Sequence, residues 1–278
     1  MSIAEMLRTR GLAPKKKFGQ NFLADVHAAK TIAEAATTPE GGTVVEIGAG
    51  LGALTRPLLA RAARVTAIEF DRDLVPILRE DLSAVIAEGR LDIIEGDAAD
   101  VDWGAKVATG PRPHVIAGNL PYLITGKLVE KTVGLADAID RAVFMVQAEV
   151  ADRLAARPDT DAYGALSVFV QAAFDVKRIL TVKGGAFYPR PEVDSAVVLL
   201  MPHRPRRAEE TNAFRAAVKA AFGARRKTLR NAWKGLYGWS KEELDANAQE
   251  VGIDLGLRGE TLPVEAFARI AKLGEKQG

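Results

Sequence analysis

The stretch TVVEIGAGLG, residues 43–52, decides the fold of this chain. It opens with a β-branched run that is typical of a buried strand, and Gly48, Gly50 and Gly52 follow directly. Glycines at a strand-to-helix turn let a ligand approach the main chain at the carboxyl edge of a parallel sheet. The stretch therefore predicts a site for a nucleotide-like cofactor, and a dinucleotide-binding fold carries a similar glycine pattern.

Short β-branched runs alternate with amphipathic segments of helical length from residue 43 onward, which is the pattern of a doubly wound α/β fold. We expect seven strands, at 43–47, 65–69, 91–95, 114–118, 142–147, 176–182 and 195–201. Helices are expected between them, around 53–62, 71–87, 126–135, 148–156 and 164–174. Only the short loop 183–194 separates the last two strands, so the sheet is expected to end antiparallel.

Three parts are expected along the chain. A basic N-terminal arm covers residues 1–24, a cofactor-binding catalytic domain 25–202, and a small all-α, RNA-binding domain 203–278. The proline- and arginine-rich segment 202–207 marks the second boundary. Apolar residues at helical spacing over 214–236, beside a basic stripe, predict one amphipathic helix, and two more helices are expected at 241–251 and 264–273.

Composition excludes several kinds of chemistry. The chain has no cysteine, which excludes disulfides, thiolate metal sites and cysteine nucleophiles. The histidines His27, His114 and His203 are scattered, so no metal site is expected. No apolar run approaches the roughly 18 residues of a membrane helix, and the first residues lack the apolar core of a signal peptide. We therefore expect a cytoplasmic protein with no membrane partner.

The net charge of +2 hides segments of opposite sign. Residues 8–24 carry five basic side chains and no acid, residues 67–102 have a net charge of −8, and residues 204–234 have a net charge of +8. Basic segments of this kind are typical of surfaces that contact a polyanion, although a solvated helix face gives the same pattern. The candidate RNA-binding residues are Lys15, Lys16, Lys17, Arg225, Arg226, Lys227 and Arg230.

Two acidic residues follow successive predicted strands. Glu69 ends the second strand, where a carboxylate can accept hydrogen bonds from ribose hydroxyls. Both nicotinamide and S-adenosylmethionine cofactors require an acid there. Asp97 follows the third strand and is placed to accept a hydrogen bond from the amine of an adenine ring.

The fourth strand ends in Asn119-Leu120-Pro121-Tyr122, which combines an amide, a rigid proline and an aromatic ring. Similar motifs occur in methyltransferases that act on planar exocyclic amines. Such an amine is too weak an acid for a side chain to deprotonate, so its activation must come from geometry. The side-chain carbonyl of Asn119 and a main-chain carbonyl of Leu120 or Pro121 can accept its two N–H bonds, while Tyr122 stacks on the base.

The chain resembles the KsgA-type family of small-subunit ribosomal RNA adenine N6,N6-dimethyltransferases, from Lys15 to about Phe267. The segments FGQNFL (18–23), FYPRPEVDSAV (187–197) and FGARRKTLRN (222–231) carry the likeness beside the cofactor motifs. The resemblance implies a class I S-adenosylmethionine-dependent methyltransferase fold. It also implies a cofactor site formed by Asn21, Leu23, Gly48, Gly50, Glu69, Asp97 and Asn119.

The same resemblance implies that Tyr122 and Phe187 sandwich the target adenine. The implied substrate is a pair of adjacent adenosines in a hairpin loop near the 3′ end of small-subunit RNA, within a pre-assembled small subunit. A role in small-subunit biogenesis follows, and we expect a monomer. The chain departs from the family after Tyr122, because Gly126 and Lys127 stand where a hydroxyl residue and a proline are more common.

Three alternatives remain at this point. A macrolide-resistance type of methyltransferase shares the Asn119–Tyr122 motif but modifies one adenine of large-subunit RNA. The VDSAVV and RRKTLRN segments favour the small-subunit assignment. A nicotinamide oxidoreductase has no use for the Asn119–Tyr122 motif. A non-catalytic assembly factor would not need Glu69, Asp97 and Asn119 together.

Overall fold

The computed structural model describes residues 3–38, 41–224 and 226–276. Its strands are β1 Phe22–Leu23, β2 Thr43–Ile47, β3 Arg64–Glu69, β4 Leu91–Glu95, β5 His114–Asn119, β6 Arg141–Gln147, β7 Phe174–Val182, β8 Phe187–Tyr188 and β9 Ser195–Pro202. Its helices are α1 Ile3–Thr9, α2 Val26–Ala36, α3 Thr55–Leu59, α4 Val75–Asp81, α5 Ser83–Ala87, α6 Trp103–Val107, α7 Thr125–Gly134, α8 Ala148–Ala155, α9 Ala165–Ala173, α10 Asn212–Phe222, α11 Leu229–Ala232, α12 Lys241–Glu250 and α13 Val264–Glu275.

Within the described residues, seven strands form one mixed sheet in the order β4-β3-β2-β5-β6-β9-β7. Neighbours from β4 to β6 pair in parallel, and β9 pairs antiparallel with β6. The seven predicted strands are confirmed to within two residues at each end, and so is the antiparallel last strand. From β2 the strands β3 and β4 follow in order towards one edge of the sheet, whereas β5 lies on the other side of β2. This change of direction leaves a crevice at the carboxyl ends of β2 and β5, where ligands bind in open α/β sheets.

The central strands are buried on both faces, as expected for a parallel sheet covered by helices. Every residue of β2 is buried. One side of the sheet packs against α2 and α3 through Ile32 and Leu58, together with Val44 and Val65 of the strands. Helix α2 was not predicted, although Asp25 supplies a clear signal for it: its side chain accepts hydrogen bonds from the amides of His27 and Ala28 at the helix start.

The chain divides into two compact units, Met1–Ala151 with Val176–Pro202, and Asp152–Asp175 with His203–Gly278. The first contains most of the sheet, and we call the second the helical unit. This division differs from the expected boundary, because residues 152–175 group with the C-terminal helices. Val168 and Ala172 of α9 share one apolar core with Phe214 and Phe267. Sequence periodicity shows that α9 is amphipathic but not which partner covers its apolar face.

The predicted continuous helix over 214–236 is wrong. Helix α10 ends at Phe222, and α11 begins only at Leu229. The main-chain amides of Leu229 and Arg230 donate to the carbonyls of Leu257 and Leu255, which fixes the start of a new helix. A tertiary contact therefore overrides the local helical period, and the expected basic stripe does not lie along one helix. The segment predicted as a helix over 71–87 is likewise divided into α4 and α5.

In the described part of the chain, no helix is both long and apolar enough to cross a membrane.

Candidate active site

A cavity of about 620 Å³ lies at the carboxyl ends of β2, β3, β4 and β5. The structure brings the expected cofactor residues together on its wall, namely Asn21, Leu23, Gly48, Gly50, Glu69, Asp97 and Asn119. Leu120, Pro121 and Tyr122 line the same cavity. Strand ends that are far apart in sequence thus meet at one edge of the sheet. Among the described residues, no cluster of histidine and acidic side chains could hold a metal ion.

The glycine turn after β2 forms the floor of this cavity. Gly48 and Gly50 have φ angles of 72° and 57°, in the left-handed region that favours glycine. A Cβ atom on Gly48 would lie 3.3 Å from the main-chain oxygen of Asn119. The turn therefore lies directly against the start of the Asn119–Tyr122 loop, and a side chain at Gly48 would push the two apart.

Glu69 is 6% exposed and is held from both sides by main-chain amides. Its Oε2 accepts from the amide of Gly50 at 2.7 Å, and its Oε1 accepts from the amide of Asp71 at 2.8 Å. Burial raises the pKa of Glu69, although these amides favour the charged form. The carboxylate thus ties the glycine turn to the end of β3 at the wall of the cavity, where a ribose hydroxyl could reach it.

A second carboxyl, Glu46 of β2, lies next to the glycine turn but does not line the cavity wall. It is 1% exposed, and within the described residues its Oε2 has no hydrogen-bond partner. Burial raises the pKa of Glu46 to about 8, and the charge of Glu69 adds to this. Two buried carboxyls with raised pKa values therefore lie close together, and only Glu69 lines the cavity.

Lys131 holds the loop that carries Asp97. Its ammonium on α7 donates to the carbonyls of Ala99 at 2.7 Å and Val101 at 2.5 Å, and lies 4.8 Å from the ring centre of Trp103. Asp97 itself accepts from the amide of Ala99 at 2.8 Å. Sequence reasoning missed Lys131, because a lone lysine in an amphipathic helix carries no sign of such contacts.

We expect Lys131→Met to weaken S-adenosylmethionine binding about tenfold. The substitution removes the charged donor from the loop carbonyls, so the Asp97 carboxylate is no longer held towards the cavity; hydrogen bonds from a charged donor contribute about 1.5–3 kcal/mol. Calorimetric titration of the cofactor measures the change. Lys127→Met is the matched control, because Lys127 is exposed on the same helix. Equal affinities for the two variants would show that Lys131 has no part in shaping the site.

The Asn119–Tyr122 loop is fixed by contacts on several sides. The Nδ2 atom of Asn119 donates to the main-chain oxygen of Asn21 at 3.1 Å, so Oδ1 is the side-chain atom that can accept from a substrate amine. The carbonyl of Pro121 accepts from Thr125 Oγ1 at 2.9 Å and from the amide of Ile124 at 3.2 Å. Because the Pro121 carbonyl already has two donors, the carbonyl of Leu120 is favoured over that of Pro121 as the main-chain acceptor for the substrate amine.

Tyr122 is partly exposed on the cavity wall, and burial raises its pKa. Its hydroxyl lies 2.8 Å from Oγ of Ser195, the first residue of β9. Leu123, the next residue, also lines the cavity and is 72% exposed. The sequence motif predicted the aromatic ring but not the contact that holds its far end.

Phe187, the second ring of the expected sandwich, is buried in this structure. It is 5% exposed, belongs to the apolar core and is absent from the described lining of the cavity. Phe187 lies opposite Leu23 in the short antiparallel pair of β1 and β8, and the neighbouring Tyr188 is 39% exposed. Because side chains alternate along a strand, Phe187 points into the core where Tyr188 points outward. The sandwich of Tyr122 and Phe187 stays a prediction, and of the two rings Tyr122 is the one that lines the cavity in this structure.

The N-terminal segment, predicted as a basic arm, packs against the rest of the first unit. The ammonium of Lys15 lies 2.5 Å from Asp71 and 2.6 Å from Asp73, and Arg10 pairs with Glu80 at 2.5 Å. Ile3 and Met6 of α1, with residues 17–24, line the cavity. The strongly acidic segment thus neutralises part of the basic one, because the fold places them side by side. We therefore expect Lys15 to contribute less to phosphate binding than the other basic candidates.

The other RNA-binding candidates are spread over several elements. Lys16 and Lys17 are exposed, and the Lys17 ammonium lies 4.8 Å from the ring centre of Phe18. Arg226 and Lys227 are exposed after α10, whereas Arg230 on α11 pairs with Asp245. Arg225 lies outside the described residues.

The cavity fits a nucleoside cofactor, because a glycine-rich turn lies beside Glu69 and Asp97, two carboxylates of the type that accepts from ribose hydroxyls and from an adenine amine. With the Asn119–Tyr122 loop facing the same space, this arrangement defines a class I S-adenosylmethionine-dependent methyltransferase. The model for the family "Ribosomal RNA adenine dimethylase" matches residues 11–276. The chain belongs to this family.

Known proteins agree with this assignment over nearly the whole chain. "Ribosomal RNA small subunit methyltransferase A" of Geobacter metallireducens is 41% identical over 270 residues, which cover 96% of this chain and 97% of the relative. The protein of the same name from Moorella thermoacetica is 44% identical over 278 residues, which cover 96% of this chain and 94% of the relative.

Two solved structures are similar in fold. A dimethyladenosine transferase from Plasmodium falciparum superposes with a TM-score of 0.78 at 23% identity, covering 92% of this chain and 98% of that one. The 23S rRNA methyltransferase ErmE superposes with a TM-score of 0.67 at 27% identity, covering 91% of this chain and 98% of that one.

Proposed function

We propose that this rRNA adenine dimethyltransferase acts on two adjacent adenosines in a hairpin loop near the 3′ end of small-subunit ribosomal RNA. The observation that carries the proposal is the fixed amide of Asn119, which presents Oδ1 at the cavity that holds Glu69 and Asp97. The sequence segments 187–197 and 222–231 support the small-subunit substrate. Relatives at 41–44% identity carry a small-subunit name, which also supports it.

Cofactor binding is assigned to the first wall of the cavity. Glu69 accepts hydrogen bonds from the ribose, Asp97 accepts one from the adenine amine, and Gly48 and Gly50 leave space for the chain that joins them. S-adenosylmethionine supplies a methyl group on a positively charged sulfur. The N-terminal residues Asn21 and Leu23 cover the site and limit the access of water.

Activation of the amine is assigned to the Asn119–Tyr122 loop. Oδ1 of Asn119 and the carbonyl of Leu120 accept the two N–H bonds, which draws the nitrogen towards a tetrahedral shape and turns its lone pair to the methyl donor. Positive charge develops on the nitrogen during transfer, so these carbonyl dipoles bind the transition state more tightly than the ground state. Tyr122 stacks on the adenine and holds the line of attack.

An unpaired loop is the form of RNA that suits this site. A loop adenine can swing out of its stack at small cost, whereas an adenine inside an A-form helix lies in a groove that side chains cannot read. The proposal includes the pre-assembled small subunit as the substrate particle, a cytoplasmic location and a monomeric enzyme.

A large-subunit substrate is the second candidate, and the similarity to ErmE at 27% identity is the observation that favours it. Incubation with labelled S-adenosylmethionine and either unmethylated small subunits, protein-free small-subunit RNA or large subunits separates the candidates. We expect small subunits to accept the most label. Preferential labelling of large subunits would reject the proposed substrate.

We expect the double substitution Arg226→Ala and Lys227→Ala to reduce the salt dependence of RNA binding by about 1.4–1.8 units of log–log slope, because each phosphate contact contributes about 0.7–0.9 unit. Lys15→Ala is expected to leave the slope unchanged, since its ammonium is paired with Asp71 and Asp73. Filter binding over a range of salt concentrations measures both slopes. If the slope changed for Lys15→Ala and not for the double variant, the phosphate contact would belong to Lys15 and not to Arg226 and Lys227.

A further inference from the structure

The segment FYPRPEVDSAV at 187–197 has no role in the cofactor site described above. Its Ser195 opens β9 opposite Gln147 of β6 and is 0% exposed. The Oγ atom of this buried serine lies 2.8 Å from the hydroxyl of Tyr122, which is 73 positions away in sequence. One end of the segment therefore contacts the aromatic ring on which the target base is proposed to stack.

The strand end that carries Ser195 is itself firmly held. Asp194 accepts through its main-chain oxygen from the amide of Ala148 at 2.9 Å. Its carboxylate accepts from Lys183 Nζ at 2.7 Å and from the amide of Gly184 at 3.1 Å. Ser195 thus offers a fixed hydrogen-bond partner to the phenol.

Without that partner, the Tyr122 ring can rotate more freely about its side-chain bonds. The main chain around Tyr122 is already restrained, because Pro121 precedes it and the Pro121 carbonyl is held by Thr125. A hydrogen bond at the far end of the ring fixes the direction of the ring's long axis, and the preference of a phenol O–H for the ring plane restrains rotation about that axis. Rings that stack in one fixed plane orient a base better than rings that rotate.

We propose that Ser195 is a positioning residue that fixes the stacking plane of Tyr122 and thereby controls the second methyl transfer more than the first. This rests on the proposed stacking role of Tyr122. Before the first transfer the amine has two N–H bonds for the carbonyls of Asn119 and Leu120, and afterwards one remains. Orientation in the second transfer therefore depends more on stacking.

Two variants remove the same hydrogen bond from opposite sides. Ser195→Ala removes the serine hydroxyl, and Tyr122→Phe removes the phenol hydroxyl without touching β9 and keeps the ring. We expect each to slow the second methylation about three- to tenfold, the range of one neutral hydrogen bond, with a smaller effect on the first. Monomethyladenosine should then accumulate, and the affinity for S-adenosylmethionine should stay unchanged.

Single-turnover methylation of small subunits, followed by mass spectrometry of the nucleosides, measures both steps. The double variant should be no slower than either single variant, because both remove one shared contact. Ser167→Ala is the matched control, since Ser167 is also a fully buried serine and donates to the carbonyl of Arg153 in the helical unit. This control should lower the melting temperature without changing the ratio of the two rates.

Several results would overturn the proposal. Multiplicative effects in the double variant would show that the two hydroxyls act separately, and equal slowing of both steps would show a general structural role. Unchanged rates in Tyr122→Phe would show that the contact does not matter, even if Ser195→Ala failed to fold. Tyr122→Ala tests the underlying stacking role by itself: full activity in that variant would reject the role of Tyr122, whatever the result for Ser195.

Discussion

The substitution Asn119→Ala is expected to lower the rate of methyl transfer about 10²- to 10³-fold. In the proposed mechanism the side-chain carbonyl of Asn119 accepts from the amine while positive charge develops there, and removal of one such preorganised dipole typically has an effect of this size. The main-chain oxygen of Asn21 would lose its donor as well, but the glycine turn and Glu69 remain in place. Cofactor affinity should therefore change far less than the rate.

Single-turnover assays with saturating S-adenosylmethionine measure the rate, and calorimetry measures the affinity. Asn247→Ala, on α12 of the helical unit, is the matched control and should retain full activity. A rate for Asn119→Ala within a few-fold of the unmodified protein would refute the assignment of Asn119 as an acceptor for the substrate amine.

The second large effect is expected on cofactor binding. Glu69→Ala should weaken the affinity for S-adenosylmethionine about 100-fold, because hydrogen bonds to a charged acceptor contribute about 1.5–3 kcal/mol each. The substitution also removes the carboxylate that accepts hydrogen bonds from the amides of Gly50 and Asp71. RNA binding should stay almost intact, and an unchanged cofactor affinity would contradict the ribose assignment.

The pH dependence of this affinity has a definite sign. Burial raises the pKa of Glu69, and the charged carboxylate is the form that accepts from ribose hydroxyls. As the pH falls towards this raised pKa, a growing fraction of the protein must lose a proton before it binds, so the affinity should fall. Calorimetry over a series of pH values should show this trend in the unmodified protein and a flatter profile in Glu69→Ala.

Local sequence signals predicted the sheet and most of the polar residues that line the cavity. Each strand and the glycine turn at 48–52 can be recognised from neighbouring residues alone. Glu69 and Asp97 follow strand ends, and parallel strands place their carboxyl ends at one edge of the sheet. Asn119 and Tyr122 were predicted for the same reason. Each of these residues lies directly at or after a strand end, so finding the strands was enough to bring them together.

The remaining features depend on contacts between distant segments. The pairing of Lys15 with Asp71, the burial of Phe187 opposite Leu23 and the contact of Ser195 with Tyr122 each join residues more than 50 positions apart. Neither charge pattern nor periodicity specifies such partners. The acidic and basic segments were both seen in the sequence, and the correct conclusion would have been that they neutralise each other in part.

The measurement that tests the central claim most directly is the mapping of methylated adenosines by mass spectrometry. Unmethylated small ribosomal subunits are incubated with the protein and labelled S-adenosylmethionine, and their RNA is digested into fragments. The account predicts two adjacent adenosines near the 3′ end of the RNA, each carrying two methyl groups on its exocyclic nitrogen. Methylation of a single adenosine, or methyl groups found instead in large-subunit RNA offered in parallel, would contradict it.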